Sequence, residues 1–166
     1  MTREELMKAL EMQEEVLQFV HFSNEDAWEL GNLLVKEAKR LGISIAVQIR
    51  RNNNMNIFTY AMPGITGYNM ERLLRKHNTV QMMEKSSLYM YMLLQESKEG
   101  VQGLQLPLND FGFYGGAFPI RIEEAGVIGS VAISGIGHVA DHDFLIKTIS
   151  KYLHIDEVPR ISTDKM

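Results

Sequence analysis

The chain has 166 residues, of which 45% are hydrophobic and 23% charged, so it fits one compact globular domain and is too apolar to be disordered by default. A net charge of −4 argues against general nucleic-acid binding, and the absence of cysteine excludes disulfides, thiolate metal sites and a cysteine nucleophile. The N-terminal segment MTREELMKAL is charged where a signal peptide is apolar, and no apolar run reaches about 18 residues, so we expect a cytoplasmic protein without a membrane partner.

The first half of the chain predicts two helices followed by a β-hairpin. Thr2 and Glu5 are spaced as a capping box, Ser23 is a second N-cap, and Gly42 supplies a left-handed stop. After Gly42, apolar and polar residues alternate with the period of a half-buried strand, and asparagine turn chemistry separates this strand from the next. Trp28 on the second helix is expected to serve packing. The predicted helices span 3–20 and 24–41, and the predicted strands span 43–50 and 56–62.

The second half of the chain predicts a long helix, a second hairpin and a final helix. Residues 69–96 contain neither glycine nor proline, which allows one uninterrupted helix. Nine of the thirteen glycines fall between 100 and 137, a concentration that favours tight turns or close backbone approach, so any chemistry is expected there. The remaining predicted elements are strands at 118–122 and 127–133, an optional fifth strand at 104–108, and a helix at 140–153.

The order of these elements, α-α-β-β-α-β-β-α, predicts an α+β sandwich in which helices flank a central sheet of four to five strands. Hairpin connections make neighbouring strands antiparallel, which excludes a doubly wound parallel sheet. One domain is expected over residues 1–155, followed by a flexible C-terminal tail at 156–166.

Three stretches of the second half resemble the GlcG/HbpS-like family, which is called the haem-degrading domain. They are GGAFPI at 115–120, GVIGSVAISG at 126–135, and the DHD triplet at 141–143. The similarity spans most of the chain and is strongest to an uncharacterised single-domain branch of the family. That branch is also similar at Arg75, Lys76, Asn78 and Val80 in the long helix and at Ser86 and Ser87.

This resemblance implies a profilin-like or PAS-like sandwich that forms a homo-oligomer, at least a dimer, and binds haem or another tetrapyrrole. It does not imply a catalytic cycle. The chain departs from its relatives at His77 and His138, where the family has a basic and a polar non-histidine residue, so a family site cannot be transferred directly to these two positions.

A histidine and aspartate cluster at the start of the last helix is the sharpest chemical feature of the sequence. His138 and His142 are four residues apart, and Asp141 lies between them, so a helix that includes position 138 places both imidazoles at metal-chelating spacing. The expected metal set is therefore His138, Asp141 and His142, for a divalent metal or haem iron. In the alternative interpretation, His138 precedes the helix and the aspartates favour its positively polarised N-terminus. An HExxH protease is excluded, because Val139 follows the first histidine.

A glycine-rich loop and a basic segment of the long helix are the candidate ligand pocket. Phe113 and Tyr114 present aromatic faces next to two glycines, either as a lid over a flat ligand or as residues folded into the core. Arg72, Arg75 and Lys76 either pair with ligand carboxylates or phosphates or form a solvated helix face, and His77 is expected in a core or interface. The expected ligand-binding residues are Arg75, Lys76, Phe113, Tyr114, Gly115, Gly116, Phe118, Ser134 and Gly135.

The leading functional hypothesis is an oligomeric module that binds a planar, anionic small molecule where the loop before Phe118 meets the turn at 134–142. The second hypothesis is a homo-oligomeric assembly or interaction protein without small-molecule chemistry, and the third is a haem-degrading or metal-dependent enzyme. The G-x-G-x-x-A match at 135–140 does not indicate dinucleotide binding, because too little chain follows for the parallel strand that a Rossmann unit needs.

Overall fold

A computed structural model describes residues 1–161 and places one four-stranded antiparallel sheet between two layers of helices. The strands follow the order β2-β1-β4-β3 across the sheet, so β2 and β3 are its edges. This confirms the expected α+β sandwich. The strands are β1 at Ala46–Arg51, β2 at Asn56–Ala61, β3 at Ala117–Ile122 and β4 at Gly126–Ser134.

In the described part of the chain, five helices surround the sheet, and two of them begin at the predicted caps. The side chains of Thr2 and Ser23 accept hydrogen bonds from the backbone in complete capping boxes, and Gly42 ends the second helix with a positive φ of 69°. Within residues 1–161, no helix has the length and hydropathy needed to cross a bilayer. The helices are α1 at Arg3–Val16, α2 at Asn24–Leu41, α3 at Gly67–Met83, α4 at Ser87–Gln95 and α5 at His138–Leu153.

The two faces of the sheet differ in chemistry. The face toward α2 and α5 carries β-branched and aromatic residues, and it forms the main hydrophobic core. The face toward α3 carries small and polar residues, because successive side chains of a strand point to opposite faces. The small residues of this second face are Ala46, Ala117 and Ala132. Its polar residues bring hydrogen-bonding side chains under α3, and they are Gln48, Arg50, Ser130 and Ser134.

The single long helix predicted over 69–96 is wrong, because the chain breaks between α3 and α4. Glu84 adopts a left-handed conformation with φ of 55°, and Ser86 then caps α4 by accepting a hydrogen bond from the N–H of Tyr89. The buried carboxylate of Glu14 accepts the N–H of Ser86, which fixes this break against α1.

Two further expectations about local structure are corrected. The first helix ends at Val16 instead of residue 20, because Phe19 leaves the helix to pair with Ile122 at the edge of β3. The optional strand at 104–108 is replaced by short 3-10 helices at 100–104 and 108–110, so the sheet has four strands over the described residues.

The segment expected to be a flexible tail is anchored over 156–161. The carbonyl of Pro159 accepts a hydrogen bond from Gln13 at 2.8 Å, and Arg160 forms a bidentate pair with Asp143. Ile161 is buried in the cluster formed by α1 and α4. The remainder of the predicted tail, 162–166, lies outside the described residues.

Candidate functional site

The two glycine-rich bends singled out in the sequence meet at one rim of the sheet. The N–H of Gly115 donates to His138 Nδ1 at 3.0 Å, and the carbonyl of Gly116 accepts the N–H of Ile133 at 2.8 Å. Gly116 has a φ of 121°, which favours glycine, and a Cβ there would lie 2.7 Å from the carbonyl oxygen of Ile133. The close approach of these two backbones therefore depends on glycine.

Lys76 lies directly beneath this junction and is almost completely buried. Its Nζ donates to the carbonyl oxygens of Gly115 and Ile133 and lies 3.6 Å from Asp141 Oδ2. Burial lowers the pKa of Lys76 to about 8 and raises the pKa of Asp141, while the attraction between the two groups opposes both shifts. Lys76 is therefore not part of a solvated helix face, which was one of the two interpretations of the basic segment at 72–76.

Arg72 and Tyr114 form a cationic and aromatic rim above Lys76. The guanidinium carbon of Arg72 lies 4.0 Å from the centroid of the Tyr114 ring, and Lys76 Nζ lies 5.8 Å from the same centroid. The Tyr114 ring packs back over Gly112, so it covers the lysine in this conformation. A ligand that reaches Lys76 from this side must displace the ring.

His138 is half-buried beside this rim, and its hydrogen bonds define its tautomer. The Gly115 N–H can only donate, so Nδ1 is the acceptor and the proton of the neutral ring lies on Nε2. Burial, together with the positive charges of Lys76 and Arg72, lowers the pKa of His138 and favours this neutral form. The ring also packs edge-on against Tyr91 at 4.8 Å. His138 therefore offers an N–H donor at Nε2 and has no free nitrogen lone pair for iron.

The three residues expected to bind metal are directed to different protein partners. His142 is fully buried, and its Nε2 lies 2.8 Å from Gln13 Oε1, while Asp141 contacts Lys76 and accepts the N–H of Ile136. Over residues 1–161, no group of three or more histidine and carboxylate side chains is arranged to hold a metal ion. The helix does include His138, but the geometry gives no support to a metal set of His138, Asp141 and His142.

The remaining predicted ligand residues are divided between the rim and the protein interior. Arg75 is partly exposed with its Nε 3.7 Å from Glu71, and Phe113 is half-buried and stacked on Phe111. Phe118 lies in the main core. Ser134 accepts a hydrogen bond from Asn69, and Gly135 lies against Ser44 and Ile45, which immediately precede β1. The structure thus brings together Lys76, Tyr114, Gly115, Gly116, His138 and Asp141, with Arg72 and Arg75 at the edge.

His77 is a core residue, which is one of the two locations expected for it from the sequence. It is fully buried under α3 with its Nδ1 2.6 Å from Ser130 Oγ, and burial holds its pKa well below the usual range. Nε2 has no hydrogen-bond partner among the described residues. The ring is therefore neutral and is not placed at the rim.

Two polar residues that the sequence reasoning missed are Arg50 and Glu14. Arg50 belongs to the polar face of β1, and the alternation that predicts this strand also assigns it to the side opposite the apolar residues. Glu14 is buried against the break between α3 and α4, and burial raises its pKa to about 7. No local signal in α1 identifies Glu14, because its partner Ser86 is 72 residues away.

The fold and the rim together define a small α+β sandwich with a cationic, aromatic edge at the junction of two glycine-dependent bends. Residues 22–150 match the family described as haem degrading protein HbpS-like. The chain belongs to this family, as the sequence resemblance indicated.

Curated relatives and solved structures agree with this assignment. A UPF0303 protein of Yersinia enterocolitica is 32% identical over 154 residues, which cover 92% of this chain and 91% of the relative. The crystal structure of the Ybr137w protein matches with a TM-score of 0.82 at 22% identity, over 89% of this chain and 87% of that one. A structure described as a complex of PduOC with haem matches with a TM-score of 0.67 at 20% identity, over 79% of this chain and 94% of that one. At these identities the two structures establish a common fold.

Proposed function

We propose that this protein is a binding module for a planar, anionic small molecule, with haem or another tetrapyrrole as the ligand class to test. The observation that carries the proposal is the half-buried Arg72 stacked on Tyr114 directly above the buried Lys76. An aromatic face suits a flat ring, and guanidinium and ammonium groups suit its carboxylates. Membership of the HbpS-like family and the haem complex of a protein with the same fold support the choice of ligand class.

In this proposal, the residues at the rim act on the periphery of the ligand. Arg72 and Arg75 pair with its carboxylates, and His138 donates its Nε2 proton to an oxygen at the same edge. The Tyr114 ring serves as the lid, since it must move before a ligand approaches Lys76. The residues present fit the ring and its acidic groups, but they do not fit axial ligation of iron, because His138 Nδ1 is occupied and His77 and His142 are buried.

Titration with haemin and with metal-free protoporphyrin tests this proposal. We expect the two compounds to bind with similar affinity, because no step depends on iron. Replacing Arg72 by Ala should weaken both by about tenfold or more, the cost of one charge-assisted hydrogen bond. Arg40→Ala is the matched control, since Arg40 pairs with Glu37 on α2 across the sheet from the rim.

Two outcomes contradict the proposal. Binding of haemin without binding of the metal-free ring would indicate iron coordination instead of recognition of the periphery. Equal affinities of the wild-type protein and Arg72→Ala for these compounds would show that the rim is not part of the binding site. A cytoplasmic location is part of the proposal, and fractionation of the host cell tests it.

Homo-oligomeric assembly without a ligand is the second candidate function, and exposed aromatic residues favour it. Trp28, expected to serve packing, is 59% exposed and contacts the Phe58 ring edge-on at 6.1 Å beside the edge strand β2. Exposed aromatic groups beside an unpaired strand edge are typical of a protein interface. We expect light scattering to give at least a dimer and Trp28→Glu to weaken it, with Trp28→Phe as the control. A monomer at all concentrations would contradict this candidate.

A further inference from the structure

The flank of α3 opposite the Tyr114 rim covers a polar cavity that contains a buried arginine. The cavity has a volume of about 520 Å³ and lies between the β1–β2 hairpin and α3. Its size is in the range of small-molecule sites. Amide side chains of both elements line it, together with the apolar side chains of Met70 and Leu74: Gln48, Asn54, Asn56 and Asn78.

Arg50 is 97% buried at the base of this cavity without a carboxylate partner. Over residues 1–161, no Asp or Glu oxygen forms an ion pair with it, and the only hydrogen bonds of its side chain run from Nη2 to Asn78 Oδ1 and Gln81 Oε1. A guanidinium stays charged at physiological pH, and a buried charge without a counter-ion is costly. Burial lowers the pKa of Arg50, and no neighbouring acid opposes that shift. No negatively charged group of the described residues therefore pairs with the positive charge of Arg50.

The two amides beside Arg50 are themselves held in place. Asn78 Nδ2 donates to the carbonyl of Asp110 at 2.7 Å, and Gln81 Nε2 donates to the carbonyl of Asn52 at 2.6 Å. Both amide oxygens are thus turned toward Nη2, which leaves Nε and Nη1 as donors without a protein partner among the described residues. Both bidentate edges of a guanidinium include Nη2, so the donors that remain for a ligand are the separate N–H groups of Nε and Nη1. The two amides fix the position of the guanidinium before a ligand binds.

A bulge in the hairpin contributes to the same arrangement. The pairing of β1 with β2 shifts register between Ile49 and Arg50, so that Arg50 lies opposite Asn56. Such bulges redirect side chains near binding sites. Among the described residues, one acidic side chain lines the cavity, that of Glu71, which is exposed and lies beside Arg75.

We infer that this cavity binds a small molecule through a carboxylate or phosphate group, which accepts a hydrogen bond from a remaining N–H group of Arg50 while the surrounding amides bind its neutral polar groups. The site is separate from the Tyr114 rim and does not depend on the function proposed there.

Thermal unfolding and NMR titration of the wild-type protein with phosphate and with acetate test the inference. Each anion is compared with chloride at constant ionic strength. We expect at least one of them to raise the unfolding temperature saturably, by roughly 5–10 °C at a hundredfold excess over Kd. The same titration should shift the side-chain amide signals of Asn54, Asn56 and Asn78. A response to phosphate alone identifies a phosphate-bearing ligand, and a response to acetate alone identifies a carboxylate.

Arg50→Met should abolish both responses, whereas Arg51→Gln should retain them. Arg51 is the matched control, because it follows Arg50 in β1 but binds Asn24 instead of the cavity wall. If Arg50→Met does not fold, Arg50→Lys serves instead. It keeps the charge but lacks the planar guanidinium that donates to both amides and to the anion, so it is expected to bind at least tenfold more weakly. Wild-type protein that responds to neither anion, or a response unchanged in the Arg50 variant, would overturn the inference.

Discussion

Lys76 Nζ lies 3.6 Å from Asp141 Oδ2, and both side chains are almost completely buried between α3 and the first turn of α5. This pair joins the basic segment of α3 to the turn that follows β4. It also replaces the metal role expected for Asp141 with a structural one. Through its hydrogen bonds to the carbonyls of Gly115 and Ile133, Lys76 also connects the pair to the rim and to β4.

Removing one partner of this pair should destabilise the protein strongly. Lys76→Met leaves the Asp141 carboxylate buried without a counter-charge, and Asp141→Asn does the same to Lys76, so each should cost about 3–5 kcal/mol of unfolding free energy. The double variant should cost less than the sum of the two, because no charge is then left unpaired. Urea denaturation of the four proteins measures this coupling.

The exposed Lys147, which lies 3.3 Å from Asp143 on the same helix, provides the control, since Asp143 keeps its pair with Arg160 when Lys147 is replaced. Lys147→Met should change the unfolding free energy by less than about 1 kcal/mol, since exposed pairs contribute little. Strict additivity of Lys76→Met and Asp141→Asn would show that the buried pair is not coupled.

Glu14 should make the protein less stable as pH rises toward neutrality. Burial raises its pKa from 4.5 to about 7, so between these values the folded chain binds more protons than the unfolded chain. The unfolding free energy then falls as pH rises, by roughly 3 kcal/mol from this group, and the loss is complete above pH 7. Glu14→Gln removes the titration, so its stability relative to wild type should increase between pH 4.5 and 7 in urea denaturation.

Glu15→Gln is the matched control for Glu14→Gln, because it removes the same charge from the exposed side of α1. It should alter the unfolding free energy by less than about 0.5 kcal/mol. A stability difference between Glu14→Gln and wild type that stays constant from pH 4.5 to 7 would rule out a raised pKa for Glu14.

His142 should have the opposite pH dependence. Burial lowers its pKa from 6.5 to about 4, so between these values the unfolded chain binds more protons and stability is lost as pH falls. The loss from this group is roughly 3 kcal/mol by pH 4. His142→Gln keeps an N–H donor for Gln13 but does not titrate, so its stability relative to wild type should increase as pH falls through this interval.

The His142 imidazole should also remain neutral at pH 5.5 in NMR spectra of the folded protein. A protonated His142 ring in folded protein at that pH would contradict the prediction.

Local sequence signals predicted the sheet and most helix ends because those features depend on neighbouring residues. The capping boxes at Thr2 and Ser23 and the strand alternation around Val47 required no distant partner. The break after α3 was missed because freedom from glycine and proline permits a helix but does not require one. Ser86 was the available signal, as an N-cap inside the expected helix.

The candidate site was only partly predictable, because its contacts join distant parts of the chain. The glycines at 115 and 116 indicated a close approach, but their partners His138 and Ile133 were not defined by spacing. Helical spacing placed His138 and His142 on one face, yet Gln13, 129 residues away from His142, determines where that imidazole binds. Sequence patterns therefore identified the bends but not the direction of the side chains that meet there.

Gly116→Ala should be severely destabilising, whereas Gly67→Ala should not. At Gly116 the φ of 121° disfavours any side chain, and the new Cβ would also collide with Lys76 Nζ and lie 2.7 Å from the Ile133 carbonyl oxygen. Strain and overpacking together should cost roughly 3 kcal/mol or more in urea denaturation. Gly67, the first residue of α3, has an ordinary φ and open space around it, so alanine there should be neutral or stabilising by up to about 1 kcal/mol. Similar stabilities of the two variants would mean that the bends do not approach as closely as the hydrogen bond from Gly115 to His138 requires.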